Sequence, residues 1–588
     1  MANETLGLND DFTLDPDYQA KLDVIENGGL NGEIIDHTKH FDEFFPSLEK
    51  FLRRAVEYSK NPNKTVNMNH LDYGIHVPDE LGVEQEAIDY VLPFYNSIDS
   101  RTGLDWRNVM PITLLPAVLG ALGAVIVNPN LVTSKYGKRA NELEVRVVKS
   151  LAKILGFKDL AKAGGLSLEG GTKGNMYGYI FGLRKAFPNV KETGLMNVKE
   201  KFLFINSQAG HFSNFTNLAA IGVGRQNSIR IPCHSDASIN LDKLKETLFS
   251  CMENNIVVPT ILITVGTTDA CAIDDVRAVR EIIDEASKQF PKMHKPHLHI
   301  DAAIGWAFSF FNNYDTAANP LHFTESFIEK LPEIQAKSRN LNLADSVTVD
   351  VHKTGFTPYS CSFLVVKDKE DFEHLMWDAS EFKYFDPSES KIAPVQYSLE
   401  CTRSSIGIYA AAMAFNTLGI EGYQTLLAAS LQYSDMLKQR FMSFNNIGVI
   451  NKSLGFTTLF RPYPSFVKDA EALLKREIKD PDFQTQSKQL SVFVDDFFKF
   501  WELHKKPDTP LLDHIKSGAW GQYGKHDYEL TAWKAYLLNP RAGRYLKRFV
   551  DEFIALRREY ERQLPEEYLA EIKSICSFNA ISTESAPE

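Results

Sequence analysis

From about residue 106 to 375, short β-branched or aromatic runs alternate with stretches of helical periodicity, and this alternation limits the possible folds more than any other property of the chain. Phe202-Ile205, Val257-Thr264, Leu298-Ile300, Ser346-Val349 and Phe363-Val366 read as strands, with helical stretches such as Asn175-Phe187 and Asp274-Gln289 between them. Runs that are apolar throughout need cover on both faces. The pattern therefore implies βαβ units and an α/β fold with a mainly parallel central sheet and helices on both sides.

A chain of 588 residues exceeds one compact domain, and the pattern divides it into three. Residues 1–105 are acidic and turn-rich, with an amphipathic helix expected around Phe41 to Tyr58, and read as an N-terminal arm. Residues 106–404 hold the alternating pattern and form the large domain. Residues 405–588 read as a smaller C-terminal α+β domain. There Leu530-Leu538 is a strand, and Asn539-Pro540 supplies an N-cap and a first-turn proline for a helix presenting Phe553, Leu556, Tyr560 and Leu564 on one face.

A formal charge of −12 with no lysine-arginine block argues against a nucleic-acid partner, which needs a basic stripe to replace phosphate counterions. The six cysteines are far apart, with no CxxC pair, and no metal site is expected. The acidic start after Met1 is unlike a basic-then-apolar signal, so a reducing, cytoplasmic setting is expected. Val109 to Val127 is a charge-free apolar run of near-membrane length. Pro111 and Pro116 interrupt it and no Lys/Arg cluster flanks it, so it reads as a buried core helix rather than a membrane span.

Four short elements carry chemistry. In Asp345 to Asp368 a strand delivers Asp350-Val351-His352-Lys353 to a loop before a second apolar strand. A partly desolvated lysine there has the lowered pKa that lets a neutral amine condense with an aldehyde; a lone lysine on a solvated loop is the ordinary alternative. Asp301, in His299-Ile300-Asp301-Ala302-Ala303, follows a strand at the position where open α/β sheets display ligand-binding residues, and a buried carboxylate there needs a cationic partner. The glycine-rich stretch Glu169 to Asn175 opens a helix whose backbone N–H groups can cradle a phosphate. His211, in Ser207-Gln208-Ala209-Gly210-His211, follows another apolar strand and is placed to stack on a ring or exchange protons.

In this order, glycine-rich loop, strand-end histidine, HxDAA and then HK, the set resembles the group II decarboxylases that use pyridoxal 5'-phosphate, over most of the chain from Asn108 onward. Ala344 to Lys353 and Pro358-Tyr359-Ser360 look most like the long microbial tyrosine decarboxylases. The resemblance implies an aspartate aminotransferase type of fold and a homodimer with its site at the interface, with the N-terminal arm wrapping the partner. It implies that Lys353 carries the cofactor as a Schiff base, Asp301 pairs with the pyridine nitrogen, and Ala303 and His211 lie on opposite ring faces. Gly171, Thr172 and His352 would hold the phosphate, with Thr267 or Thr268 lining the same pocket. A tyrosine on a mobile loop after the lysine is the family's usual proton donor. Here Asp378 to Pro394 offers Tyr384, with Tyr397 as the alternative.

The implied reaction is decarboxylation of a small-molecule L-amino acid to its amine and CO2, with an aromatic, tyrosine-like substrate first. The substrate side departs from the tyrosine decarboxylases: Tyr136-Gly137-Lys138-Arg139 replaces a serine-proline turn, Asn108 stands where they carry histidine, and Lys173-Gly174 is unusual in the glycine loop. Lys138 or Arg139 could pair with a side-chain carboxylate, which keeps glutamate and aspartate open as substrates; two solvent-facing cations are the plain alternative. A carbon-carbon lyase or an oxidatively deaminating aldehyde synthase would use the same fold and cofactor.

Overall fold

The computed structural model describes residues 14–27, 53, 103–109, 111–382, 386–517 and 530–576. Among them, eleven strands form a seven-stranded and a four-stranded sheet. The larger sheet contains β1 (Gly164–Leu168), β2 (Phe204–Ser207), β3 (Ser228–Ile231), β4 (Thr260–Thr264), β5 (His297–Asp301), β6 (Ser346–Asp350) and β7 (Ser362–Val366), in the order β1-β7-β6-β5-β4-β2-β3. From β6 through β3 every pairing is parallel, whereas β7 runs antiparallel to both of its neighbours. The expected mainly parallel sheet is present. The periodicity reading did not find β1 and β3, both short and only partly apolar.

Strands β4, β5, β6 and β7 are buried along their whole length, as central strands covered on both faces are. Ile261, Ile263, Leu298 and Ile300 point into the main core, while Phe204 and Leu262 point to the opposite side against Tyr179 and Leu183. Alternation along each strand thus builds two layers from one sheet.

Among the helices used below, α1 is Pro16–Asn27, α2 is Leu115–Val127, α3 is Arg139–Ile154, α4 is Gly171–Ala186 and α5 is Val276–Gln289. Helix α4 lies across the sheet on a stripe of glycines four residues apart. A Cβ added at Gly174 would fall 2.3 Å from Thr348 Oγ1, one at Gly178 2.3 Å from His299 Cγ, and one at Gly182 2.0 Å from Thr260 Oγ1. The stripe brings the helix backbone onto β6, β5 and β4, and so sets the helix start beside the strand ends.

The 13-residue α2 packs against Ile406–Met442, a helix interrupted at Gly419, where φ is 60°. Only one side of α2 is covered: Leu119, Val125 and Val127 are exposed, as are Met413 and Ile420 on the helix beside it. The fully buried helix expected from Val109 to Val127 is therefore shorter and half open. No helix among the described residues is long and apolar enough to cross a membrane.

The four-stranded antiparallel sheet, in the order β10-β11-β9-β8, comprises β8 (Ile447–Val449), β9 (Thr457–Pro462), β10 (Asp513–Ser517) and β11 (Leu530–Tyr536). After β11, Asn539 caps a turn through Arg541 N–H at 2.9 Å, and a 3-10 turn follows. The α-helix begins only at Leu546, later than the Asn539-Pro540 signal predicts, and buries Phe553, Leu556 and Tyr560. In the N-terminal segment, Leu14, two residues before α1, and Tyr18 and Leu22 of α1 are buried in the chain's own core, with Tyr18 edge-on to Phe323. This described part of the expected arm packs on its own chain. The helix expected around Phe41 to Tyr58 falls, apart from Arg53, outside the described residues.

Candidate active site

The C-terminal ends of adjacent parallel strands β5 and β6 place Asp301 opposite Thr348, two residues before Asp350, and Lys353 follows on a single helical turn, Val351–Thr354. Ala303 ties the two strand ends together, because its N–H donates to Asp301 Oδ1 at 3.1 Å and its carbonyl accepts the Asp350 N–H at 3.3 Å. These ends are where an open α/β sheet presents its ligand-binding groups.

Asp301 is buried. Among the described residues its hydrogen-bond donors are the Asn175 side-chain amide, 2.8 Å from Oδ2, and the Ala303 N–H; both are neutral. Behind Asn175 stands His299, whose Nε2 is 3.2 Å from Asn175 Oδ1 and 3.0 Å from Thr348 Oγ1, while its Nδ1 is 2.7 Å from Ser346 Oγ. Burial pushes the His299 pKa down to about 3, so the ring is neutral. A buried carboxylate braced by neutral groups fits a cation such as a protonated pyridine nitrogen, because the charge it needs is not supplied by its donors.

Lys353 Nζ lies 2.9 Å from Asp350 Oδ2. Burial pulls the ammonium pKa down, but Asp350, with Asp301 further off, outweighs burial and leaves it above the ordinary lysine value. The sequence-based expectation of a lowered pKa is corrected here. Desolvation was the part foreseen, and the carboxylate one helical turn before the lysine was not. Burial pushes the Asp350 carboxyl up, while Lys353 and His352 more than offset this and hold it below the usual range. Ser362 Oγ also donates to Asp350 Oδ1, at 2.6 Å.

His352 accepts the Cys361 N–H on Nδ1 at 3.0 Å, and its ring lies 4.5 Å from that of Tyr359. Burial lowers its pKa against the opposing pull of Asp350, whose Oδ2 lies 3.7 Å from Nε2. Tyr359 donates its hydroxyl to the Val109 carbonyl at 2.5 Å. His211, after β2, has Nδ1 2.8 Å from Ser213 Oγ; burial lowers its pKa, and Asp301 and Lys353 are the charges nearest in effect.

Gly171 is the first residue of α4, and a Cβ there would come within 2.9 Å of both Asp350 carboxylate oxygens. At Gly170 a Cβ would meet nothing within 4 Å, leaving open space before the helix start. Thr172 is exposed and its carbonyl accepts the Asn217 amide at 2.8 Å. Lys173 turns to Glu169, at 2.8 Å, and to Glu400. A glycine-lined helix start with open space in front of it suits a phosphate. Thr267 is engaged within its turn, accepting the Ala272 N–H at 2.9 Å, and Thr268 is the half-buried member of the pair.

The structure thus brings Lys353, Asp301, Ala303, His352 and Gly171 together where the ends of β5 and β6 meet the start of α4, with His211 in electrostatic reach. Tyr384 lies outside the described residues. Tyr397 is packed on Phe372, with ring centroids 4.6 Å apart, and is pushed up to about 12 by burial. The charged groups acting on it are Glu144 and Arg403, so it belongs to the core behind the site. Sequence reasoning missed Asn175, His299, Asp350 and Ser362 as site residues. Only Asp350 carried a signal, its i,i+3 spacing from Lys353. Lys138 and Arg139 are exposed, and Arg139 pairs with Glu142 at 2.9 Å.

The family profile for the pyridoxal-dependent decarboxylase conserved domain matches residues 105–454, more than half of the chain. An L-2,4-diaminobutyrate decarboxylase of Acinetobacter baumannii is 24% identical over 341 residues, 55% of this chain and 60% of the relative. One from Rhizobium meliloti is 25% identical over 59% of this chain and 63% of its own length, so the match spans about three fifths of these relatives. An L-tyrosine decarboxylase of Enterococcus faecium is 24% identical over 493 residues, 72% of this chain and 76% of that protein. Among solved structures, Oryza sativa TDC with PLP and tryptamine superposes with a TM-score of 0.68 at 15% identity, covering 88% of this chain and 99% of the other. Mouse CSAD in apo form gives 0.67 at 14% identity, over 87% and 99%. At these identities the structural matches establish a common fold.

Proposed function

The chain belongs to the pyridoxal-dependent decarboxylase family, and from that premise we propose that it removes CO2 from an L-amino acid, releasing the amine, with pyridoxal phosphate held on Lys353. The observation that carries this reading is the pairing across β5 and β6: a buried carboxylate with neutral donors at one strand end, and a lysine one helical turn beyond the next.

Pyridoxal phosphate, when bound, supplies a conjugated ring that accepts the electrons of the bond being broken. Asp301 would keep the ring nitrogen protonated, with Asn175 and neutral His299 fixing the carboxylate's direction. Ala303 and His211 would bound the ring's two faces. The start of α4 at Gly171 and Thr172, with His352 and Thr268, would hold the phosphate. His211, whose pKa burial lowers and on which Asp301 and Lys353 act, is suited to stacking on the ring or exchanging a proton. Tyr384 would return the proton to the substrate carbon, a contribution of about 10²–10⁴ in rate.

An aromatic, tyrosine-like substrate is the reading we favour. The solvent-facing Lys138 and Arg139, the latter engaged with Glu142, support the reading of two surface cations over that of ligands for a side-chain carboxylate. The exposed apolar residues Leu119, Val125, Val127, Met413 and Ile420 support a homodimer, since a patch of this kind on two packed helices calls for cover. A cytoplasmic setting goes with this proposal.

The test is measurement of CO2 and amine from purified protein with pyridoxal phosphate and a panel containing L-tyrosine, L-tryptophan, L-glutamate, L-aspartate and L-2,4-diaminobutyrate. Amine and CO2 in equal amounts from one member, lost in Lys353→Ala, is the expected result. Aldehyde and ammonia as the main products, or carbon-carbon cleavage without CO2, would overturn it.

A further inference from the structure

Asp350 is held by two partners and crowded by a third neighbour. Lys353 Nζ is 2.9 Å from Oδ2, Ser362 donates to Oδ1 at 2.6 Å, and the first residue of α4 closes over the carboxylate so tightly that a Cβ on Gly171 would come within 2.9 Å of both oxygens. The carboxylate is buried, so these contacts replace its water. Two of them are parts of the proposed cofactor site: the lysine that condenses with the aldehyde, and the helix start, whose positive end favours an anion. The side chain of Asp350 faces both.

We propose that Asp350 is a latch on cofactor loading: it holds Lys353 as an ammonium in the empty chain and places a negative charge against the phosphate cradle, so that uptake requires both contacts to be given up. The inference rests on the family's cofactor and not on the reaction proposed above; a chain that loads as described yet releases no CO2 would separate the two.

For the covalent step, the Lys353 ammonium first loses a proton to solvent, freeing the lone pair that attacks the aldehyde carbon. The C=O bond breaks, a C=N bond forms, and the oxygen leaves as water with the two remaining hydrogens of the amine. The groups that set the ammonium's charge come from every element around it. Asp350 and His352 lie on its own strand end and turn, Asp301 ends β5, His211 follows β2, and Tyr359 belongs to the loop before β7. Of these, Asp350 is the carboxylate in direct contact and outweighs the rest; burial alone would leave the amine easier to deprotonate.

The experiment mixes apo-protein with pyridoxal phosphate between about pH 6 and 9. Growth of visible absorbance is followed, and Lys353 is identified by mass spectrometry after borohydride reduction. Covalent uptake by the parent should rise about tenfold per pH unit over this range. Asp350→Asn, which keeps the shape and removes the charge, should load at least about tenfold faster near pH 7 and level off at lower pH. It should also bind pyridoxine phosphate, which has no aldehyde, more tightly than the parent does. Ser362→Ala, which removes a hydrogen bond but leaves the charge, should retain the parent's pH profile. Uptake by Asp350→Asn that is slower at every pH, or follows the parental profile, would overturn the proposal. So would loss of pyridoxine phosphate binding in that variant, because Asp350 would then be a support of the pocket.

Discussion

The side-chain amide of Asn175 donates to Asp301 Oδ2 at 2.8 Å, joining the first turns of a helix to the end of a strand 126 residues later. On its far side the same amide oxygen meets the neutral ring of His299. The aim of the Asp301 carboxylate is therefore fixed by groups that carry no charge, which leaves its negative charge for a ligand.

Asn175→Ala should weaken cofactor retention and turnover together. A hydrogen bond to a charged group contributes about 1.5–3 kcal/mol, so a loss of roughly 10- to 150-fold is expected in turnover per mole of protein, with the fold intact by circular dichroism. Unchanged turnover would mean that Asp301 keeps its direction without the amide.

Lys353→Ala should abolish both the borohydride-fixable cofactor and CO2 release. Asp301→Asn should retain the fold and the covalent cofactor but lose most turnover, because an amide cannot balance a pyridinium charge. Reduction of pyridoxal phosphate onto a different lysine would defeat the assignment of Lys353.

Gly178→Ala tests how helix α4 is seated. Its Cβ would fall 2.3 Å from the His299 ring, and both backbone and ring are locked by packing. A cost of about 1–3 kcal/mol is expected, seen as a lower urea midpoint, with reduced cofactor affinity because Asn175 moves with the helix. A midpoint equal to the parent's would show that the helix can lift without penalty.

Acid should weaken the fold through His299. Its unfolded value is 6.5 and burial takes the folded value down to about 3. As pH falls the unfolded chain takes the proton first, so this contribution is whole above about pH 6.5 and drains away toward pH 3, by up to about 1.4 kcal/mol per unit. Asp274, pushed up to about 7 by burial, runs the opposite way, with the folded chain protonated first. His299→Gln isolates the histidine: between pH 7 and 5 the variant should lose less stability than the parent, by urea titration. An equal or larger loss in the variant would contradict this.

Tyr384→Phe is expected to leave substrate binding and CO2 loss in place while slowing amine release. Aldehyde, ammonia and peroxide should then appear, as oxygen takes the electrons that a proton would have met. Cleavage by protease within Asp378 to Pro394 should slow when a substrate analogue is bound, as a closing lid requires. Amine formation at the parental rate would shift the proton donor to another group, with His211 first.

The chain's local pattern carried the strands that end in Asp301 and just before Lys353, the glycine loop ahead of α4 and the βαβ logic of the larger sheet, because each is set by periodicity and by residues near in sequence. The strand order was beyond its reach. Strand β7 inserts antiparallel between β6 and β1, pairing Gly164 with Val366, and nothing in the spacing of either segment encodes a partner so distant. The ionisation of Lys353 was equally hidden, since its sign depends on whether burial or Asp350 prevails, and that balance exists only once the side chains meet at 2.9 Å. Residue types and order thus determined which chemistry this protein can carry. Only tertiary packing decided which groups face one another and in what charge state, because Coulomb energy and desolvation are functions of distance and burial, and sequence separation determines neither.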